Sequence, residues 1–94
     1  MDPENKPIHL SLGGRRWKLR FVEKLRDFGQ CDHPDTIGKE IRIRTGQTEF
    51  ELLDSLLHEF NHSLFWQLDE SVIAAAATDL AKALTRLGYR RTQA

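Results

Sequence analysis

Two histidines and a glutamate form the pattern in this chain that is best suited to chemistry. Residues 58–62 read His-Glu-Phe-Asn-His, which fits H-E-x-x-H. On an α-helix, His58 and His62 project from one face about 6 Å apart, so two imidazole nitrogens can bind one metal ion. Glu59 lies too far around the helix to be a third ligand, yet close enough to hold a water at the metal. Hydrolysis requires this division of roles.

A third ligand must come from another part of the chain, because two histidines alone hold zinc weakly. No histidine follows His62, so the candidates downstream are the carboxylates of Asp69, Glu70 and Asp79. A turn at residues 67–69 followed by an antiparallel second helix brings Glu70 back toward the histidines. We expect Glu70 to be the ligand, with Asp69 as the alternative and Asp79 as a solvated helix residue. One zinc ion per chain suits imidazole and carboxylate donors, although the residues leave other divalent ions open.

The histidines fall within the first of two predicted helices. Thr48 followed by Glu51 is a capping box, and it precedes apolar residues at three- and four-residue steps. That stripe, which predicts a helix of about 18 residues, consists of Phe50, Leu53, Leu57, Phe60 and Leu64. A second stripe consists of Ile73, Ala76, Leu80, Leu84 and Leu87. It predicts a second helix with Asp69 as N-cap and Gly88 at its C-terminal end.

The segment before the helices predicts a small sheet. Apolar and polar residues alternate in 8–12 and again in 16–21, with Gly13-Gly14 between them, which indicates a β-hairpin. Residues 27–39 are rich in turn formers and predict a loop, and Lys39–Arg44 predicts a short strand at a sheet edge. The predicted class is α+β, a three-stranded antiparallel or mixed sheet followed by two helices. The domain spans 8–90, between a disordered segment 1–7 and a frayed tail 91–94.

Composition excludes several classes of protein. The 14 basic and 14 acidic side chains cancel, so no chain-wide field favours nucleic acid or anionic lipid. Nucleic-acid binding would have to rest on basic residues of the predicted strands, and the charge balance makes nucleic acid an unexpected partner. These residues are Arg15, Arg16, Lys18, Arg20, Arg42 and Arg44. The single cysteine, Cys31, excludes an intramolecular disulfide and suits a reducing compartment. No stretch resembles a membrane span or a secretory signal, so we expect a cytoplasmic location and no membrane partner.

The chain resembles the gluzincin metallopeptidases in their minimal single-domain form, the minigluzincins. The resemblance lies in a short sheet, the strand 40–44, the H-E-x-x-H helix and a second helix that opens with glutamate. The chain is also similar to small phage and bacterial proteins of unassigned role through residues 17–22, 29–32 and 78–89. In gluzincins a glutamate on the following helix is the third metal ligand, and this role corresponds to Glu70. Gluzincins generally place more chain between the second histidine and that glutamate.

These residues and the resemblance lead to one predicted function, zinc-dependent hydrolysis of peptide bonds in a peptide or protein substrate. Glu59 would be the general base toward the attacking water. The strand 39–44 would align an extended substrate by β-augmentation, through Ile41, Arg42 and Ile43. His33 and Tyr89 are candidates to stabilise the oxyanion.

The alternative function is a catalytically silent metal-binding module that interacts with a partner protein. The small size of the chain favours this alternative, because 94 residues leave little room for cleft walls. Glu59 argues against it, because a structural zinc site does not need a carboxylate that is not a ligand. The thiolate of Cys31 is a candidate to occupy the open metal position and hold the enzyme latent. The substrate and the oligomeric state stay open.

Overall fold

The protein folds into one mixed sheet and two helices, in a computed structural model that describes residues 6–91. The elements in chain order are β1 (Ile8–Leu12), β2 (Arg15–Val22), β3 (Gly29–Cys31), β4 (Glu40–Arg44), α1 (Glu49–Leu64) and α2 (Glu70–Arg86). The predicted α+β class is confirmed, but the sheet has four strands where three were predicted. Residues 1–5 of the predicted disordered segment and 92–94 of the predicted tail lie outside the described residues.

The sheet has the strand order β1-β2-β4-β3. β1 and β2 form the predicted antiparallel hairpin, and Gly13 and Gly14 in its turn have φ angles of 62° and 73°, which a tight hairpin turn requires. β4 pairs in parallel with β2 and antiparallel with β3. The prediction that Lys39–Arg44 lies at an edge is therefore wrong. The predicted loop 27–39 contains β3, and this short strand covers the outer side of β4.

One face of the sheet is buried against α1. Alternation along β2 and β4 directs five side chains to that face, each at most 6% exposed: Trp17, Leu19, Phe21, Ile41 and Ile43. Leu52, Leu56 and Phe60 of α1 pack against this cluster. Full burial of each leucine, isoleucine or phenylalanine contributes about 1.5–3 kcal/mol, so this layer holds α1 on the sheet.

α1 begins where predicted but buries a different face. The hydroxyl of Thr48 accepts a hydrogen bond from the Glu51 backbone N–H, and the Glu51 carboxylate accepts one from the Thr48 N–H, which confirms the capping box. The buried positions of the helix are Ser55, Glu59 and Ser63. Of the predicted stripe, Phe60 packs on the sheet, Leu53 and Leu57 are half-buried, and Leu64 is 43% exposed. A polar stripe of α1 therefore faces inward, with Glu59 against β3.

α2 packs on α1 and meets no strand within residues 6–91. Asp69 caps it as predicted, its carboxylate accepting a hydrogen bond from the Ser71 N–H, and Gly88 follows the helix with φ 89°. Its buried residues are Ile73, Ala77 and Ala81. Leu80 and Leu87, which the predicted stripe placed inward, are 46% and 72% exposed. Neither α1 nor α2 has the length and apolar character needed to cross a bilayer.

Candidate metal centre

Three potential metal ligands meet where the second half of α1 faces the start of α2. His58 and His62 are one helical turn apart, and their Nε2 atoms lie 3.1 Å from each other. Glu70 brings its carboxylate oxygens to 2.8 Å from the Nε2 of His58 and 2.7 Å from the Nε2 of His62. Within residues 6–91, this is the one group of three side chains that could hold a metal ion.

The donor set fits a divalent cation better than it fits hydrogen bonds alone. Each Nε2 carries at most one proton, so at most two of the three close contacts can be hydrogen bonds. A cation between the two imidazole nitrogens and the carboxylate accounts for all three contacts at once. Ligand atoms around tetrahedral zinc lie roughly 3.3 Å apart, and the nitrogen–nitrogen separation here is 3.1 Å. Two imidazoles and one carboxylate are ligands that zinc prefers, and they leave a fourth position open.

The connection between the helices decides which acidic residue joins the histidines. Residues 65–68 turn the chain so that α2 starts beside the end of α1. The Asp69 carboxylate accepts hydrogen bonds from the backbone N–H and the hydroxyl of Ser71, so it serves as the N-cap. Glu70 is the residue that lies with the histidines, and the alternative ligand Asp69 does not.

Glu59 lies beside the histidines and outside their cluster. It is 6% exposed, and its side chain packs on the backbone of β3, where a Cβ added at Gly29 would lie 2.8 Å from its Oε2. Burial raises the pKa of Glu59 to about 7; the positive charge of His58 opposes this, and the negative charges of Glu70 and Asp27 add to it. A carboxyl group with a pKa near neutrality can both accept and donate a proton at pH 7.

The predicted substrate-binding strand is not available to a substrate. β4 is hydrogen-bonded on both sides, and the side chains of Ile41 and Ile43 are fully buried in the core. Arg42 lies on the opposite face of the sheet, where its guanidinium binds Asp32 and Glu40. The assignment of residues 41–43 to substrate binding is therefore corrected, because it depended on β4 being an edge strand.

β3 instead offers free backbone groups beside the cluster. Phe28 O accepts a hydrogen bond from the N–H of Arg44, and the Asp32 N–H donates to the carbonyl of Glu40, so residues 28, 30 and 32 face β4. The backbone N–H and C=O groups of Gly29 and Cys31 alternate with these and point away from β4. The open edge of the sheet therefore passes next to Glu59.

A cavity of about 550 Å³ opens between β3, α1 and the start of α2. Besides the three potential ligands, its lining includes Asp27, Gly29, Cys31, Asp54, Glu59 and Trp66. Burial, together with the negative charges of Glu59 and Asp32, raises the pKa of the Cys31 thiol to about 12. Cys31 is therefore a thiol at neutral pH in the metal-free protein, and it is not in the ligand cluster. The geometry does not support latency through its thiolate.

Neither candidate for oxyanion stabilisation lies in this cavity. Tyr89 is 64% exposed beyond the far end of α2, a helix of 17 residues, which spans roughly 25 Å from Glu70. His33 lines a separate cavity of about 580 Å³, where its Nδ1 accepts a hydrogen bond from the Asp35 N–H. Trp66 separates it from the cluster, with its ring 4.9 Å from that of His33 and 6.1 Å from that of His62.

Sequence reasoning missed two residues that position the site. Gly29 makes room for Glu59, and nothing in a turn-rich stretch distinguishes it from a glycine that serves a turn. Asp32 closes the loop between β3 and β4, because its carboxylate accepts hydrogen bonds from the Glu40 N–H at 2.9 Å and from Arg42 at 2.6 Å. In the sequence, Asp32 lies in a turn-rich stretch, and this position indicated only a turn residue.

Comparison with known proteins identifies no family for this chain. No family model, no curated protein and no solved structure matches it. The resemblance to the minigluzincins therefore stays a prediction, and the function must be argued from the site itself.

Proposed function

We propose that the protein is a minimal, gluzincin-like zinc metallopeptidase that holds one zinc ion through His58, His62 and Glu70. The observation that carries the proposal is the convergence of two imidazole nitrogens and one carboxylate from two helices, within 3.1 Å of one another. The buried Glu59 lies next to this cluster without belonging to it. A structural zinc site has no need of such a carboxylate.

The chain's own residues then divide the work of hydrolysis. Zinc, when bound, supplies the Lewis acidity that lowers the pKa of water and polarises a peptide carbonyl. Glu59 accepts a proton from the attacking water and passes it to the leaving amine. The outward N–H and C=O groups of Gly29 and Cys31 pair with the main chain of an extended substrate. Trp66 forms a wall of the cavity.

Metal content and hydrolysis, measured on the same variants, test this proposal. We expect one zinc per chain in the wild type and in Asp69→Ala, and loss of zinc in Glu70→Ala. Glu59→Gln should keep the zinc while the cleavage of a peptide mixture, followed by mass spectrometry, slows by about 10²–10⁴-fold. Cleavage that persists unchanged in Glu59→Gln would refute the role of this residue.

The second candidate, a metal-binding module without turnover, is favoured by the apolar residues exposed along α2. Val72, Leu80 and Leu87 are 51%, 46% and 72% exposed and offer a surface for a partner protein. Bound zinc with no cleavage of any peptide by the wild type would support this candidate over the peptidase. A wild type that holds no metal after zinc is supplied would refute both.

A further inference from the structure

The cavity beside the ligand cluster is lined by carboxylates and, within residues 6–91, by no lysine or arginine. In addition to Glu59 and Glu70, its lining includes Asp27 and Asp54. Asp54 lies one helical turn before His58, and its carboxylate accepts a hydrogen bond from the hydroxyl of Thr78 at 3.2 Å. Asp27 is exposed and lies two residues before β3.

Asp27 and Asp54 lie at the same end of the cavity, because their chain neighbours are joined through Gln47. The side-chain amide of Gln47 donates a hydrogen bond to the carbonyl of Phe28 at 3.2 Å. The carbonyl oxygen of the same amide accepts one from the hydroxyl of Ser55 at 2.8 Å. The start of β3 and the first half of α1 are therefore held together, and one carboxylate comes from each side.

Within residues 6–91, no lysine or arginine side chain lines the cavity to balance the negative charge of this end. A divalent ion is neutralised by the carboxylates of Glu59 and Glu70, so Asp27 and Asp54 leave the cavity negative. The chain as a whole has zero net charge, so its cations must lie elsewhere. Three of them, Arg20, Arg42 and Arg44, lie on the opposite face of the sheet, because they alternate with the buried residues of β2 and β4.

Glu59 also faces this cavity without a partner from the described part of the chain. Glu59 is 6% exposed and lines the cavity, and no group in the described part of the chain donates a hydrogen bond to its carboxylate. The hydrogen bonds of this carboxylate must therefore come from water or from a ligand in the cavity. Asp27 and Glu59 line the same cavity, so a substrate bound there would lie near both carboxylates.

We propose that the site takes peptides with a lysine or arginine side chain close to the scissile bond, whose cationic group is held by Asp27 and Asp54. The inference rests on the proposed peptidase function and names its substrate class. The main chain of the peptide would lie along β3, next to Gly29 and Cys31. The cationic side chain would lie toward the start of β3, where both aspartates are found.

Binding to a zinc-loaded Glu59→Gln protein tests the preference without cleavage. The probes are three capped hexapeptides with a neutral fluorophore that differ only in a central lysine, norleucine or glutamate, and the readout is fluorescence anisotropy. Norleucine retains the apolar part of the lysine side chain and lacks the ammonium group. We expect the lysine peptide to bind about fivefold more tightly than the norleucine peptide. The glutamate peptide should bind most weakly, and 0.5 M salt should reduce the differences.

Further variants attribute the preference to the two aspartates. In the Glu59→Gln background, Asp27→Asn with Asp54→Asn should remove the preference for lysine. Asp79→Asn, which removes the same charge from the exposed face of α2 outside the cavity, should keep it. Equal binding of the lysine and norleucine peptides, a preference that survives loss of both aspartates, or no binding of any peptide would overturn the inference.

Cleavage of the same peptides by the protein with Glu59 intact separates the two proposals. Cleavage of all three at equal rates would uphold the peptidase and refute the cationic preference. A binding preference for lysine without any cleavage would refute the peptidase and leave a site that binds cationic peptides. Faster cleavage of the lysine peptide, reduced in the variant that lacks both aspartates, is the expected result.

Discussion

Gly29→Ala is the substitution that most directly tests how Glu59 is held. A Cβ at this position would lie 2.8 Å from Oε2 and 2.9 Å from Cγ of Glu59, and 3.2 Å from Cδ1 of Ile43. The first two separations are shorter than real Cβ contacts, so a group must move. Gly29 does not have a positive φ, so alanine fits its backbone and the effect is purely steric. The carboxylate of Glu59 moves most easily, because it is the far end of a flexible side chain.

The expected magnitudes differ for stability and for activity. Overpacking of a closely packed site costs about 1–3 kcal/mol, and replacing glycine by alanine recovers about 0.4–1 kcal/mol through the unfolded state. We therefore expect Gly29→Ala to lower the free energy of unfolding by about 1 kcal/mol. Zinc content should be unchanged, because the three atoms nearest to the new Cβ belong to Glu59 and Ile43 and not to a potential ligand. Hydrolysis should slow on the order of 10²-fold, because a general base displaced by about 1 Å loses its alignment.

The assays are urea unfolding, zinc content and initial rates of peptide cleavage. Glu59→Ala provides the matched background, because it removes the two closest atoms that the new Cβ would meet and leaves only the milder contact with Ile43. In that background Gly29→Ala should cost little or nothing, so the two substitutions should show a coupling of about 1 kcal/mol in a double-mutant cycle. Additive effects on stability, or full activity of Gly29→Ala, would refute the claim that this glycine positions Glu59.

Three further predictions follow from the pKa values and the hydrogen bonds. The pKa of Glu59 is raised from 4.5 to about 7, so the folded protein binds the extra proton and loses stability as pH rises from about 4.5 to 7. In urea unfolding of the metal-free protein, Glu59→Gln should therefore be stabilising by about 3 kcal/mol at pH 8 and nearly neutral at pH 4. Asp32→Ala removes the acceptor for Glu40 N–H and Arg42, and it should lower the free energy of unfolding by about 1–3 kcal/mol in the same assay, most at neutral pH. With its pKa near 12, Cys31 in the metal-free protein should react with iodoacetamide at pH 8 on the order of a thousandfold more slowly than a free cysteine, and a normal rate would show that it is a thiolate.

Local signals in the sequence predicted the parts of the site that depend on local structure. The capping box at Thr48 and Glu51 sets the start of α1, and the N-cap at Asp69 sets the start of α2. Once these ends are set, helical spacing places His58 and His62 on one face. The short connection then leaves Glu70 in the first turn of the next helix, next to both histidines.

The parts that failed depend on contacts between distant segments. Paired leucines at 52–53 and 56–57 fit two helical faces equally well, and only the packing of Leu52 and Leu56 on the sheet selects one of them. β3 has three residues, one of them glycine, which is too short for a visible alternation. The edge position of β4 was inferred from its charged residues, but Arg42 is neutralised by Asp32 across the sheet, and no local pattern encodes that pairing.

The residues on the inward stripe of α1 support a chemical role for Glu59. At these positions the fold alone would favour apolar residues, yet Ser55, Glu59 and Ser63 occupy them. The two serines are satisfied, since Ser55 donates a hydrogen bond to the side chain of Gln47 at 2.8 Å and Ser63 donates one to the carbonyl of Phe60 at 2.6 Å. Glu59 has no such partner, and its ionised form weakens the metal-free fold above pH 7. A cost of about 3 kcal/mol is large for a small domain, and glutamine would fill the same space without it. A charged residue at a position that folding alone would fill with an apolar one is expected where the residue serves chemistry. Glu59 lies where the attacking water of a peptidase would need its base.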